Sequence, residues 1–207
     1  MKRILIFTLF LSFCASNMLA QKDSIESRYQ KRWNLEERTK EFLCDINSYL
    51  IEIAGAAYRT TNERILAMKY QREVLNLFAG KGNSFKIQGT EYKPMITLID
   101  KTGKIVKRLS PKTFCTLIMH RPRTASKFTW CKIRIPTLTK EHCKQISSNE
   151  YIIDAWVDTN FDNYPNRLKD EKIEKIKIIV QHALIETPEG TKDYYYPLFV
   201  DIYAFIQ

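Results

Sequence analysis

Two hydrophobic periods divide the chain, a helical one and an alternating one, and the change falls near residue 80. Leu35, Phe42, Leu43, Ile46, Leu50, Ile53, Ala54 and Ala57 recur at helical spacing, while Glu36, Glu37, Lys40, Glu41 and Glu52 fill much of the remainder. An apolar stripe of this kind lets one long helix bury one side and wet the other. Asn34-Leu35-Glu36-Glu37 supplies its start, a capping side chain with a glutamate three residues on. Gly55 weakens its last turn. Thr60-Thr61-Asn62-Glu63 offers a second capping box, after which Ile65, Met68, Leu75 and Phe78 continue the stripe and Val74 and Leu77 widen it. Gly80-Lys81-Gly82-Asn83 closes this helix as C-terminal glycines do. These glycines end a helix rather than open one, which excludes a phosphate cradle.

From Ser84 onward the pattern alternates. Tyr92 to Asp100 and Lys104 to Leu109 flank Lys101-Thr102-Gly103 and predict a hairpin. Ser110-Pro111 is an N-cap followed by proline at the first helical position, so Ser110 to Met119 reads as a short helix. Lys127 to Ile135 and Tyr151 to Phe161 read as strands, and Glu171 to Glu186 holds a long alternating stretch with Ile176, Ile178, Val180, His182 and Leu184 on one face. Thr187-Pro188-Glu189-Gly190 is a turn, and Tyr194 to Ile206 runs back as the last strand. Helices followed by long antiparallel strands predict an α+β domain over residues 34–207, with its helices on one face of the sheet.

The first twenty residues have a different character. Lys2 and Arg3 precede an apolar run from Ile4 to Phe13, and a more polar stretch ends in Leu19-Ala20 before Gln21. That is the layout of a cleaved signal peptide, with a run too short to span a bilayer. Phe13, where a lipobox wants a small residue before Cys14, argues against lipidation. Export to the periplasm or cell surface is therefore expected, with residues 21–33 as a lead-in to the domain.

Four cysteines follow the leader, Cys44, Cys115, Cys131 and Cys143, and their spacings of 71, 16 and 12 fit no zinc pattern. An oxidising compartment permits one structural disulfide of open connectivity, and buried free thiols are the other reading. Net charge is +10 and unevenly placed. Residues 81–144 carry fifteen basic and three acidic side chains, whereas 145–207 carry six basic and eleven acidic. Such a block can form a basic face for an anionic glycan, a lipid headgroup or an acidic partner, or simply a solvated surface. No recognition motif points to nucleic acid, no later run approaches a membrane span, and no cofactor motif is present.

The order of elements resembles the nuclear-transport-factor-2-like superfamily (the cystatin-like cone), and in particular exported members from Bacteroides-type bacteria. The resemblance is carried by layout: two helices ending in Leu77-Phe78-Ala79-Gly80, a basic strand region with a short helix, and a meander closing with Phe199-Val200-Asp201-Ile202. The leader ending in Leu19-Ala20 agrees with it. It implies a cone-shaped half-barrel with helices against a concave sheet and a pocket between them. In that superfamily the pocket is an active site in isomerases and dehydratases and a ligand site or a filled space elsewhere, and many members dimerise through the sheet. No catalytic set of the superfamily maps onto this chain residue by residue, and fold alone does not choose among these roles.

Three residues are candidates for a pocket. His182 falls among apolar neighbours, where an imidazole needs a partner and serves as acid or base, or as a hydrogen-bonded core group. Asp154 and Trp156 share a face with Asp158 on their strand, opposite Tyr151, Ile153, Ala155 and Val157. A carboxylate beside an indole suits a ring-shaped ligand, and solvent exposure is the plainer expectation. His142 beside Cys143 makes a thiol–imidazole pair only if the two face each other, and His120 sits between the short helix and Arg121. Tyr195, Phe199, Tyr203 and Phe205 alternate with Tyr196, Leu198, Val200, Ile202 and Ile206, so the last strand is expected to be covered on both sides, with a homodimer as one cover. The sequence thus favours an exported, non-enzymatic binding domain. A small-molecule lyase, isomerase or hydrolase would need polar groups converging in a cavity, and a structural subunit of an envelope assembly would need a partner.

Overall fold

The computed structural model describes residues 34–56, 60–100, 104–158 and 175–206. The expected leader and lead-in, the expected hairpin turn at 101–103 and the stretch beyond Asp158 lie outside these, as does the expected start of the next strand before Lys175.

Helix α1 spans Leu35–Ala56 and α2 spans Thr61–Asn76. The Thr60 side chain accepts from the Glu63 backbone N–H, as its capping box predicts. Leu43, Ile46, Leu50 and Ile53 of α1 are buried, one every three or four residues. On α2 the expected stripe is only half realised. Ala67 and Val74 are its buried residues, whereas Ile65 and Met68 are 61% and 62% exposed. Helix α2 therefore docks through its narrower Ala67–Val74 side and leaves the start of its apolar stripe outside. A 3-10 turn, Ala79–Gly82, closes the helical region with Gly80, Lys81 and Gly82 all at positive φ.

Eleven strands follow among the described residues: β1 Phe85–Ile87, β2 Thr90–Tyr92, β3 Met95–Ile99, β4 Ile105–Leu109, β5 Phe128–Trp130, β6 Lys132–Arg134, β7 Cys143–Ser147, β8 Glu150–Asp158, β9 Lys175–Thr187, β10 Gly190–Phe199 and β11 Asp201–Ile206. Helix α3, Pro111–His120, starts where Ser110 accepts from the Thr113 N–H. Strands run β10-β9-β8-β6 in one group, with β7 also on β8, and β4-β3-β11-β5 in the other. All pairs are antiparallel except β3 with β11. The fold is α+β, with N-terminal helices against a curved sheet that forms a half-barrel.

The curl is made at two residues where one extended segment passes from group to group. Val200 separates β10 from β11, donating to the Lys177 carbonyl and accepting from the Met95 N–H. Cys131 separates β5 from β6 and donates to the Tyr203 carbonyl at 2.8 Å. The segments 127–135 and 194–206 are thus each two strands, not one. Hairpin β1–β2 and strand β7 also lie outside the expected elements; Pro94 ends β2 before β3, because proline cannot donate to a ladder.

One apolar cluster joins α1, α3 and both strand groups, including Ile46, Leu50, Phe114, Ile118, Ile153, Ile178, Phe199 and Ile202. Phe114 packs edge-on to Phe128 and Trp130, and Phe78 to Phe199. A smaller cluster of Ala79, Ile152, Ile179 and Val200 lies on the other side of β8–β9, covered by Phe85, Ile87 and Tyr92 of the hairpin. In β11 Ile202, Tyr203, Ala204 and Phe205 are all buried, so this strand is covered on both faces as expected.

Candidate functional site

A groove of about 960 Å³ runs between the first half of α1 and strands β5 and β6. Leu43, Phe128, Trp130 and Ile133 give it apolar walls, and Lys40, Asn47, Ser48 and Lys132 give it polar ones. The helical period of α1 explains one side: Lys40, Leu43 and Asn47 are spaced to share a face. The other side comes from the switch at Cys131, which turns Phe128 and Trp130 toward α3 and then buries Ile133 while Lys132 and Arg134 stay exposed.

Two carboxylates border this groove, and both are engaged. The Glu36 Oε1 atom accepts from the Ile135 N–H at 2.9 Å, which ties the start of α1 to the end of β6. Glu37 accepts from the Asn34 side chain across the N-cap. The Trp130 Nε1–H is shielded and has no hydrogen-bond partner. A buried unpaired donor is costly, by about 1–3 kcal/mol, and this one lies beneath the surface of the wall rather than open to the groove.

The residues singled out from sequence lie elsewhere, Asp154 and Trp156 together on β8 and His182 apart from them on β9. Asp154 and Trp156 stand on the face of β8 opposite Ile153, Ala155 and Val157, as expected. Asp154 is not solvent-exposed, however: its side chain is 12% accessible, with Lys175 and Lys177 each 2.6 Å from one of its oxygens. Burial alone would raise this carboxyl, but the hydrogen bonds and charges of Lys175 and Lys177 outweigh it and hold the group below the ordinary value. The Trp156 indole meets the His142 ring edge-on, and Lys175 lies over it. This is an ion-paired patch, not an acid waiting for a proton.

His182 sits further along β9, opposite Tyr195 of β10, and stacks on that ring with centroids 4.9 Å apart. Its Nε2 is 2.8 Å from the Asp193 carboxylate. The imidazole is partly exposed beside largely exposed Leu184, not enclosed by apolar neighbours, and it does not line the groove.

Cys44 is exposed, Cys115 and Cys131 are buried, Cys143 is half-buried, and all four are free thiols. Burial pushes the Cys115 and Cys131 thiols up to about 12 and that of Cys143 to about 11. Cys143 pairs with Ile153 and turns inward, whereas His142 lies against Trp156, so the two do not form a thiol–imidazole pair. His120 ends α3 and is exposed.

No protein-family model and no curated protein matches the chain.

Among the described residues no group of three His, Cys, Asp or Glu side chains could hold a metal ion, and no helix is long and apolar enough to cross a membrane. Every described Lys and Arg of 81–144 is exposed, but they are spread over β1, β4, α3, the 122–127 turn, β6 and β7. The groove residues Phe128, Trp130 and Lys132 escaped the sequence reading. Their signal was an aromatic pair beside a lysine, which an unbroken strand places without regard to the switch at Cys131.

Proposed function

We propose that this chain is an exported binding domain of the nuclear-transport-factor-2-like kind, and that it takes an amphipathic small molecule in the groove between α1 and β5–β6. The carrying observation is the groove itself, apolar at Leu43, Phe128, Trp130 and Ile133 and cationic at Lys40 and Lys132. A concave, mostly apolar site with a few polar groups is the usual form of a small-molecule site. The lysines favour a ligand with an acidic end. Binding is preferred to turnover because Glu36 and Glu37, the carboxylates of the groove, already serve the backbone and the N-cap. The succession of two helices, a hairpin, a short helix and a meander supports the kinship.

The test uses 8-anilinonaphthalene-1-sulfonate, an apolar ring system with one negative charge. Saturable fluorescence enhancement, lost in Asn47→Trp and kept in Lys107→Trp, is expected if the groove is the site. Enhancement that survives Asn47→Trp, or no saturable binding at all, overturns the reading.

A further inference from the structure

Helix α2 presents an outward surface that the groove does not use. On a helical projection Thr61, Ile65, Met68, Lys69 and Arg72 lie opposite the buried Ala67 and Val74. Ile65 and Met68 are 61% and 62% exposed, and Leu66 at the flank is 40% exposed. Arg64, Lys69 and Arg72 are exposed beside them. Of the acidic residues of the helix, Glu63 lies on the buried side, and Glu73, at the flank between Lys69 and Leu66, is half-buried and takes the Asn76 side-chain amide; with burial and Asp45 it raises the Tyr49 phenol of α1. The exposed part of α2 thus combines bare apolar side chains with cations and no exposed carboxylate.

We propose that this face of α2 is a contact for an anionic lipid surface. The observations favour lipid over a protein partner. Protein interfaces favour Met and Arg but leave charge out of their cores and are depleted in lysine, whereas a helix lying in a bilayer interface pairs exposed apolar residues with both Lys and Arg. Ile65 and Met68 enter the acyl boundary, while Arg64, Lys69 and Arg72 meet the headgroup phosphates. The stripe that the sequence reserves for a core is thereby used outward. This contact is independent of the groove.

Co-sedimentation of the full chain with phosphatidylcholine vesicles, and with vesicles half of phosphatidylglycerol, tests it. Binding to the anionic vesicles is expected, weakening with salt. Each exposed cation contributes about fivefold in affinity, so Lys69→Gln with Arg72→Gln should weaken binding by about thirtyfold. Ile65→Ser with Met68→Ser should weaken it at least about tenfold. These positions are exposed, so the variants should melt with the parent. Because the comparison is between variants, it isolates this helix from any other membrane contact, the apolar leader included. Equal binding by parent and both double variants overturns the proposal. So does a parent dimer that Ile65→Ser with Met68→Ser dissociates, which would assign the face to a second copy.

Discussion

Asp154 and Lys177 are direct register partners across β8 and β9, with carboxylate oxygen and ammonium 2.6 Å apart, and Lys175 closes on the other oxygen. Removing the acceptor would leave two cations side by side. Asp154→Asn should therefore destabilise the fold by about 1–2 kcal/mol, the lower side of the range of about 1.5–3 kcal/mol for hydrogen bonds to charged groups, because both lysines are exposed. The sign with pH follows from the direction of the shift. The folded carboxyl is held below its ordinary value, so its contribution is full above the unfolded pKa, about 4, and is lost as pH falls through the folded one. Urea unfolding of parent and Asp154→Asn should differ at pH 7, and the gap should close as pH falls well below about 4. A gap of equal size at neutral and acid pH would show that the ion pair is not its source.

Two glycines make opposite predictions for one substitution. Gly55 lies in the last turn of α1 with nothing near its missing Cβ, so Gly55→Ala should stabilise by about 0.5–1 kcal/mol through helix propensity. Gly80 sits at φ +60°, where a Cβ would meet Phe85 at 2.9 Å. Gly80→Ala should cost about 1–2 kcal/mol, since both the backbone and the seat of hairpin β1–β2 must shift. Thermal melts of the two variants should move in opposite directions, and movement in the same direction would contradict the geometry at Gly80.

Where sequence periodicity succeeded, local chemistry and tertiary packing agreed. The N-cap of α2 at Thr60 and that of α3 at Ser110 form as their side chains dictate, and Ile153, Ala155 and Val157 line the buried face of β8. Periodicity misleads where a strand changes partners. At Cys131 the inward parity moves from Phe128 and Trp130 to Ile133, and at Val200 the last strand passes from β9 to β3. Neither residue announces this, because the cause is pairing with strands distant in the chain. The exposure of Ile65 and Met68 has a similar origin: α2 is apolar on more sides than it has neighbours to bury. The groove was illegible for the same reason, since it exists only after α1 and the Cys131 switch are brought together.

The thiols provide a map of local opening. Cys115 and Cys131 combine burial with pKa values of about 12, which leaves about one thiolate in ten thousand at pH 8. Cys44 is exposed on α1 at the rim of the groove. Iodoacetamide labelling at pH 8, mapped by mass spectrometry, should modify Cys44 within minutes and leave Cys115 and Cys131 intact until denaturant is added. Half-buried Cys143, at about 11, should fall between them. Early labelling of Cys131 would mean that the junction between β5 and β6 opens readily, and that the groove wall is not held in place.

Trp130 separates the packing of that wall from its polarity. Its ring meets Phe114 at 5.9 Å between centroids, while its N–H has no partner. Trp130→Phe keeps an aromatic ring in the contact and deletes the unpaired donor. The relief of about 1–3 kcal/mol from the donor offsets a comparable loss of volume, so stability should stay close to that of the parent. Trp130→Ala removes the ring as well and should cost about 3–5 kcal/mol. A Phe variant as unstable as the Ala variant would show instead that the N–H is bonded in solution.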